Sequence, residues 1–521
     1  MPHLRTSLLD RHCTAIAAGA LLVVVFVATS GGSGGDRVDR TSTALAATAR
    51  PVAVAAPAPG GAQQALFVPP LLQPRMDGAT KVFSLTARAG SIRRFGETLA
   101  TAGFNGAYLA PTIRVRRGER VRMEVDNALR EPTTVHWHGL HVAPTGDGGP
   151  YQPIPAGGSW APELTVSQPA ATLWYHPHVM GQTAPQVGRG MAGLLLIDED
   201  TPAQRALPHR YGVDDVPVLL QGAPLPASGR ATGRRPLLAN GTPNAVLRTR
   251  ATRLRLRLVN GTGGAILGVN VRGATAVRVV GSDGGLLPAA VRTSRVVLGP
   301  SERSELVVDV RAGSTVRLAT TVLPDQGAEV GRTHDAFLRG APVDATSGTV
   351  LTIVNTTPRT QARAAASAAR VIPARLAAAP SLDLSRAVER DMVLGPGIEI
   401  NGELMTDVDH EHGAHMPGTL RIPLDQVEVW TIDNRSPFTH VFHVHDIEFQ
   451  VLDRDGVAPS AVERGWKDSI HVSPGTSARI AMQFTDFADA DHPYMFHCHV
   501  LRHEDAGMMG QFVVIPRGEA A

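Results

Sequence analysis

The segment His497–Met509 reads HCHVLRHEDAGMM: one cysteine lies between two histidines, a third histidine follows five residues after the cysteine and a methionine ten after it. Three further groups, His136-Trp137-His138, His176-Pro177-His178 and His440-Val441-Phe442-His443-Val444-His445, share its i, i+2 histidine spacing, and the four groups together hold ten of the 20 histidines. In an extended strand, side chains at i and i+2 share one face and i+1 takes the other. The chain must therefore fold so that four strand segments converge, each presenting two imidazoles to one place. Parity also places Cys498 opposite His497 and His499, and His440 opposite His443 and His445, so His440 belongs with Cys498.

Two sets of donors result. Cys498, His440, His503 and Met508 form a His2Cys set with a methionine, the ligand choice of an electron-transfer blue-copper site, and zinc has no use for the thioether. His136, His138, His176, His178, His443, His445, His497 and His499 are too many for one metal, and they suit a three-copper cluster with open positions for a small ligand. A one-electron site joined through the bonds of one residue to a multi-metal site implies electrons collected singly and spent together. Dioxygen reduction to water takes four, which one copper and a cluster of three can store.

A length of 521 residues calls for two or three domains. The 53 Gly and 39 Pro favour short strands and turns, so an all-β chain is expected. Alternating apolar and polar residues recur in PTIRVRRGERVRMEVDNAL from Pro111, in TRLRLRLVNGT from Thr252 and in RIPLDQVEVWTIDN from Arg421. Three spaced blocks of one pattern predict three related β domains, at 80–205, 206–358 and 390–517. A Gly/Ala/Pro-rich linker is expected over 30–79 and a second linker over 359–389.

Net charge is only +3, and lysine occurs only at Lys81 and Lys467, so no basic patch points to nucleic acid. The apolar run Cys13–Thr29 after a short basic segment reads as an export signal or uncleaved membrane anchor over 1–29, which places the folded chain outside the cytoplasm. Cys498 is then the only cysteine of the folded region, and a structural disulfide is excluded there. Nothing in the sequence indicates oligomers, and a monomer is expected.

Taken together, HWHG, HPH, HVFHVH and HCHVLRHEDAGMM resemble the motifs of the three-domain multicopper oxidases, the laccase-like group, over about 80–517. The connecting text LPHRYGVDDVPVLLQ, SDGGLLP and RGWKDSI is similar to the bacterial cuprous oxidase and bilirubin oxidase branch. The resemblance implies three cupredoxin-like Greek-key β-sandwich domains and four copper ions, one type 1, one type 2 and two type 3. It assigns type 1 copper to His440, Cys498, His503 and Met508, and type 2 to His136 and His443. It assigns one type 3 copper to His138, His176 and His499 and the other to His178, His445 and His497. Asp147 and Glu504 match acidic positions that relay protons in the family; the plain alternative is a turn aspartate and a solvated glutamate.

Enterobacterial cuprous oxidases carry a long Met- and His-rich insert before the last domain, and this chain has only INGELMTDVDHEHGAHMPG there. Met405, Asp407, His410, His412, His415 and Met416 could still hold a transient Cu(I) beside the type 1 site, or the segment is simply a polar loop. The expected activity is one-electron oxidation of a donor, Cu(I) first and phenols or aromatic amines as in a laccase second, coupled to reduction of dioxygen to water. A copper-free cell-division scaffold of the same fold predicts lost ligand positions, whereas all twelve are filled. A two-domain copper nitrite reductase predicts fewer domains and no H-C-H bridge. His141, His209, His334, His471 and His492 show no pairing and read as structural or surface residues.

Overall fold

The computed structural model describes residues 62–226, 235–323, 346–361, 371–405 and 413–518. Among these the chain is built almost wholly from strands, arranged in six sheets. The expected export segment, the linker up to residue 61, His334 and the positions Asp407, His410 and His412 lie outside the described residues.

Each third of the chain contributes two sheets that close on a shared core. In the first, the strand Arg120–Asn127 buries Val121, Met123 and Val125 and turns the alternate residues outward. These side chains meet Ile113, Leu173, Tyr175 and Leu195 from the facing sheet of Ile113–Arg116, Thr172–Tyr175 and Gly193–Asp198. The second third forms two six-stranded sheets around Leu254, Leu256, Leu258, Leu267 and Leu306. The last third forms two five-stranded sheets around Trp430, Phe442, Ile480, Phe496 and Phe512. These are cupredoxin-like β-sandwiches, the fold class expected from the sequence.

The recurring blocks differ in one respect from simple hairpins. Ile113–Arg116 pairs with Gly193–Asp198 in one sheet, while Arg120–Asn127 pairs with Thr80–Arg94 in the other. Leu420–Pro423 and Val427–Asn434 are divided in the same way. The intervening turn carries the chain over the edge of a sandwich, so both strands aim their apolar faces at one core from opposite sides.

Two regions depart from the expected layout. Residues 64–79, expected within the linker, are partly in sheets: Gln64–Ala65 runs parallel to Ala245–Thr249, and Arg75–Asp77 pairs with Thr80–Arg94. A two-residue strand carries no periodic signal, so the Pro-rich context masked it. The strand Arg253–Asn260 is buried on both faces. Arg255 pairs with Glu305, and Arg257 with Asp215 (Nε to Oδ1 2.6 Å) and Thr172 (Nη1 to Oγ1 2.9 Å) of the first sandwich, so its polar face serves an interface between sandwiches. No described helix is long and apolar enough to cross a membrane.

Candidate metal centre

Four strand segments bring the histidine groups together. His440–Val444 lies antiparallel to Asp489–Cys498, with His443 opposite His497 and Phe442 opposite Cys498. His136 and His176 pair through both backbone hydrogen bonds, His136 N to His176 O at 2.8 Å and the reverse at 3.2 Å. The first and last sandwiches thus each supply half of one site.

The donor atoms fall into compact buried groups: His138, His176 and His499; His178, His445 and His497; His136, His138 and His443; and, apart from these, His440, Cys498 and His503. In the last group Cys498 Sγ lies 3.3 Å from His440 Nδ1 and 3.6 Å from His503 Nδ1, with the two ring nitrogens 3.1 Å apart. Met508 is fully buried in the same core, and its carbonyl accepts from Cys498 N at 3.0 Å. The strand therefore separates Cys498 from His497 and His499 as its parity requires.

Partners on the outer ring nitrogens fix which nitrogen faces inward. His136 Nδ1 donates to the Asp147 carbonyl at 3.0 Å, His443 Nδ1 to the Asp468 carbonyl at 2.7 Å and His176 Nδ1 to the Pro177 carbonyl at 2.8 Å. His445 Nδ1 contacts Asp147 Oδ2 at 2.7 Å. Their Nε2 atoms carry bare lone pairs. His138 is turned the other way: Nε2 meets Asp468 Oδ1 at 3.1 Å, and Nδ1 faces His176 Nε2 at 3.5 Å. His445 Nε2 and His178 Nε2 each lie 3.1 Å from His497 Nε2, and His499 Nε2 lies 3.4 Å from His176 Nε2. Nε2 of His136 and of His443 has no protein partner.

Lone pairs converging at such distances repel unless a cation lies among them. Protons cannot fill that role: burial first, and then the neighbouring imidazoles, hold His138, His178, His443, His445 and His499 well below the usual histidine range, so the rings are neutral. Neutral imidazoles together with a thiolate and a thioether fit copper best among the first-row metals.

The two expected proton carriers sit differently. Asp147 Oδ2 accepts from His445 as above and Oδ1 lies 3.4 Å from His136 Nδ1. Glu504 is buried, with Oε1 3.3 Å from His178 Nδ1 and Oε2 3.4 Å from His497 Nδ1, and neither oxygen makes a hydrogen bond. Burial, and then the Asp505 charge, pushes the Glu504 carboxyl well above its ordinary range. The carboxyl is thus held between two imidazoles. Met405 and Met416 pack with Met495 and Met509, Met405 N donates to the carbonyl of Gly507, next to Met508, at 2.9 Å, and His415 lies in the turn Gly413–His415.

Several supporting residues carry no mark in the sequence. Asp468 contacts His138 and His443 and is held by Arg303, Nη1 to Oδ1 at 2.6 Å. Ser436 Oγ lies 2.7 Å from His440 Nε2 and so turns Nδ1 towards Cys498. Asp505 accepts from Thr183 N and Ala184 N, tying the turn after His178 to the turn after His503. The one available signal was Lys467-Asp468, one of two lysines in the chain beside an acid.

His141 supports the structure. Burial opposes a charged ring, but Asp446 (Nδ1 to Oδ1 3.0 Å) and Asp486 (Nε2 to Oδ1 2.6 Å) outweigh it and push His141 up to about 12. A raised histidine stabilises fully below its unfolded value of about 6.5, and the contribution is lost as pH rises through the folded value. His141→Gln is therefore expected to lower stability at neutral pH and to remove part of the decline above about pH 6.5, read from denaturant melts across that range.

Comparison with known proteins gives the family. Multicopper oxidase models match residues 87–202 and 399–518. The multicopper oxidase mco of Staphylococcus aureus is 31% identical over 461 residues, covering 86% of this chain and 91% of that protein. The chain belongs to the multicopper oxidase family. Similarity of the same size, 31% over 489 residues and covering 92% and 98% of the two chains, links it to the cell division protein FtsP of Shigella dysenteriae. Among solved structures, the multicopper oxidase of Pediococcus acidilactici superposes with a TM-score of 0.74 at 29% identity, covering 89% of this chain and 94% of that one. Overall identity therefore does not separate oxidase from division protein within the multicopper oxidase family, and the side chains at the centre have to.

Proposed function

We propose that this chain is an exported copper oxidase that oxidises a small donor by single electrons and reduces dioxygen to water. One observation carries the reading: Cys498 places its sulfur with His440 and His503, while its two neighbours place their imidazoles in the two groups on the other face. Copper bound at these groups would supply one-electron oxidation beside Cys498 and dioxygen reduction among the eight histidines. His440, Cys498, His503 and Met508 would hold the type 1 ion, and His136 with His443 the type 2 ion. His138, His176 and His499 would hold one type 3 ion, and His178, His445 and His497 the other.

The protein's own residues do the rest. Outer contacts with Asp147, Asp468, Pro177 and Ser436 keep the rings of His136, His138, His176, His440, His443 and His445 in one tautomer and orientation, so these rings need little reorganisation as charge changes. Complete burial of the rings excludes bulk water and limits escape of partly reduced oxygen. Glu504, placed between His178 and His497, and Asp147, which touches His445 and His136, would relay protons to the site. Glu504→Gln keeps the shape and loses that proton exchange. It is expected to slow turnover about 10²- to 10⁴-fold with the Cys498 absorption intact, measured as oxygen uptake at saturating donor.

Cu(I) is the favoured donor, supported by the likeness to the cuprous oxidase branch and by Met405 and Met416 near the surface. Phenols are the second reading. Oxygen uptake by the copper-loaded enzyme with chelator-buffered Cu(I), set beside uptake with a simple phenol, tests the choice; faster uptake with the phenol assigns a laccase. The FtsP similarity supports a copper-free scaffold as a reading of another class, and the filled ligand set weighs against it. Met508→Leu is expected to raise the type 1 reduction potential, because a thioether ligand favours the oxidised ion more than a noncoordinating side chain does. A redox titration that finds an equal or lower potential takes Met508 out of the site.

A further inference from the structure

One small cluster near the histidine centre has an unusual composition. Met180, Met405, Met416, Met495 and Met509 pack together with Tyr151, so five of the chain's 12 methionines meet in one place with no leucine, isoleucine or valine among them. The much larger core of the second sandwich contains no methionine. Five thioethers drawn from separate segments are more than gap-filling needs. They are the donors that a soft monovalent cation such as Cu(I) prefers.

Register shows where the cluster points. His497 is paired with Met509 and Met495 with Gln511 across the antiparallel strands, so Met495 and Met509 stand on the same face as His497. Cys498 stands on the other face. The cluster is also graded in exposure: Met180, Met416 and Tyr151 are half-buried, Met405 is 9% exposed, and Met509 and Met495 are 3% and 1% exposed. Tyr151 fixes its mouth, with its hydroxyl on Gln511 Oε1 and 3.4 Å from Met416 Sδ. Met180 follows His178 by two residues, and the Met495 carbonyl accepts from His445 N at 3.0 Å. The cluster thus reaches from the surface to the strands that carry His445 and His497 and to the segment after His178.

We propose that these methionines form a thioether site that takes Cu(I) at the surface and delivers it to the histidine group during metal loading. The proposal rests on the reading of the histidine groups as copper sites, but it concerns filling them and not turnover. Exchange of methionine for leucine keeps volume and removes sulfur, so the half-buried pair Met180→Leu/Met416→Leu isolates the chemistry.

Two measurements on the full chain test it. Silver(I), a redox-silent stand-in for Cu(I), is titrated into copper-loaded enzyme; the double variant is expected to bind it about 10- to 100-fold more weakly than wild type. Protein prepared without copper is then given chelator-held Cu(I), and copper per chain is followed with time. The variant is expected to fill its histidine groups at least about tenfold more slowly and to reach the same final content. Normal melting of the variant and its normal final Cys498 absorption show that folding is intact. Silver binding or filling rate equal to wild type overturns the proposal. A wild-type chain that takes up no copper overturns the reading of the histidine groups as well.

Discussion

Cys498→Ser is expected to abolish donor oxidation and the visible thiolate-to-copper absorption together, while copper stays at the histidine groups. The thiolate is the one soft anionic donor among the described residues of the centre, and serine offers in its place a hydroxyl that stays protonated at neutral pH. The substitution is nearly isosteric, and Cys498 is completely buried, so packing around Phe442, Phe496 and Phe512 is preserved. His497 and His499 keep their places on the strand and their groups. Oxygen uptake is expected to fall to background with every donor, and metal analysis to find three coppers per chain against the four expected of wild type. Loss of all copper in this variant would mean that the two faces of the strand are not independent sites.

Arg303→Leu is expected to be the most damaging substitution outside the ligands. Arg303 is fully buried and touches all three sandwiches: its own strand in the second, the Thr172 carbonyl of the first through Nε at 3.0 Å, and Asp468 of the third through both terminal nitrogens. Leucine would leave Asp468 buried without its cation and Asp283 with Lys467 alone, Nζ to Oδ2 at 2.7 Å. Breaking a buried pair on one side costs about 3–5 kcal/mol, because the remaining charge is uncompensated. Asp468 also holds His138 and His443, and the loss of such an outer partner costs about 10- to 100-fold in metal affinity. Denaturant melts should show the first effect and copper competition the second. Arg303→Lys, which restores charge and not the two-pronged geometry, should recover stability more than affinity.

The centre is far more legible in the sequence than its supports. Ligand spacing is local: an i, i+2 pair in a strand has one geometric meaning, so the opposition of Cys498 to His497 and His499 follows from spacing alone. The alternating blocks likewise identify strands, because Val121, Met123 and Val125 need one buried face. Which sheet a strand joins is a long-range matter, and a turn at Arg117-Gly118 looks the same whether the chain folds back or crosses a sandwich edge. The burial of Arg255, Arg257 and Arg303 is not legible in the sequence, because it depends on an acid far away along the chain, here Glu305, Asp215 and Asp468. The methionine cluster is hidden for the same reason: its members are scattered from Met180 to Met509, and only Met405 and Met416 lie in a segment whose composition stands out.

An oxidase of this kind must hold copper on both faces of the strand Asp489–Cys498. Metal analysis of the purified, copper-loaded chain, together with its visible and electron paramagnetic resonance spectra, tests this requirement directly. Four coppers per chain are expected, with an intense blue thiolate band and two distinct paramagnetic signals, one from the Cys498 group and one from the His136 and His443 group. A folded chain that takes up no copper and shows no blue band would contradict it and would leave the division-protein reading standing.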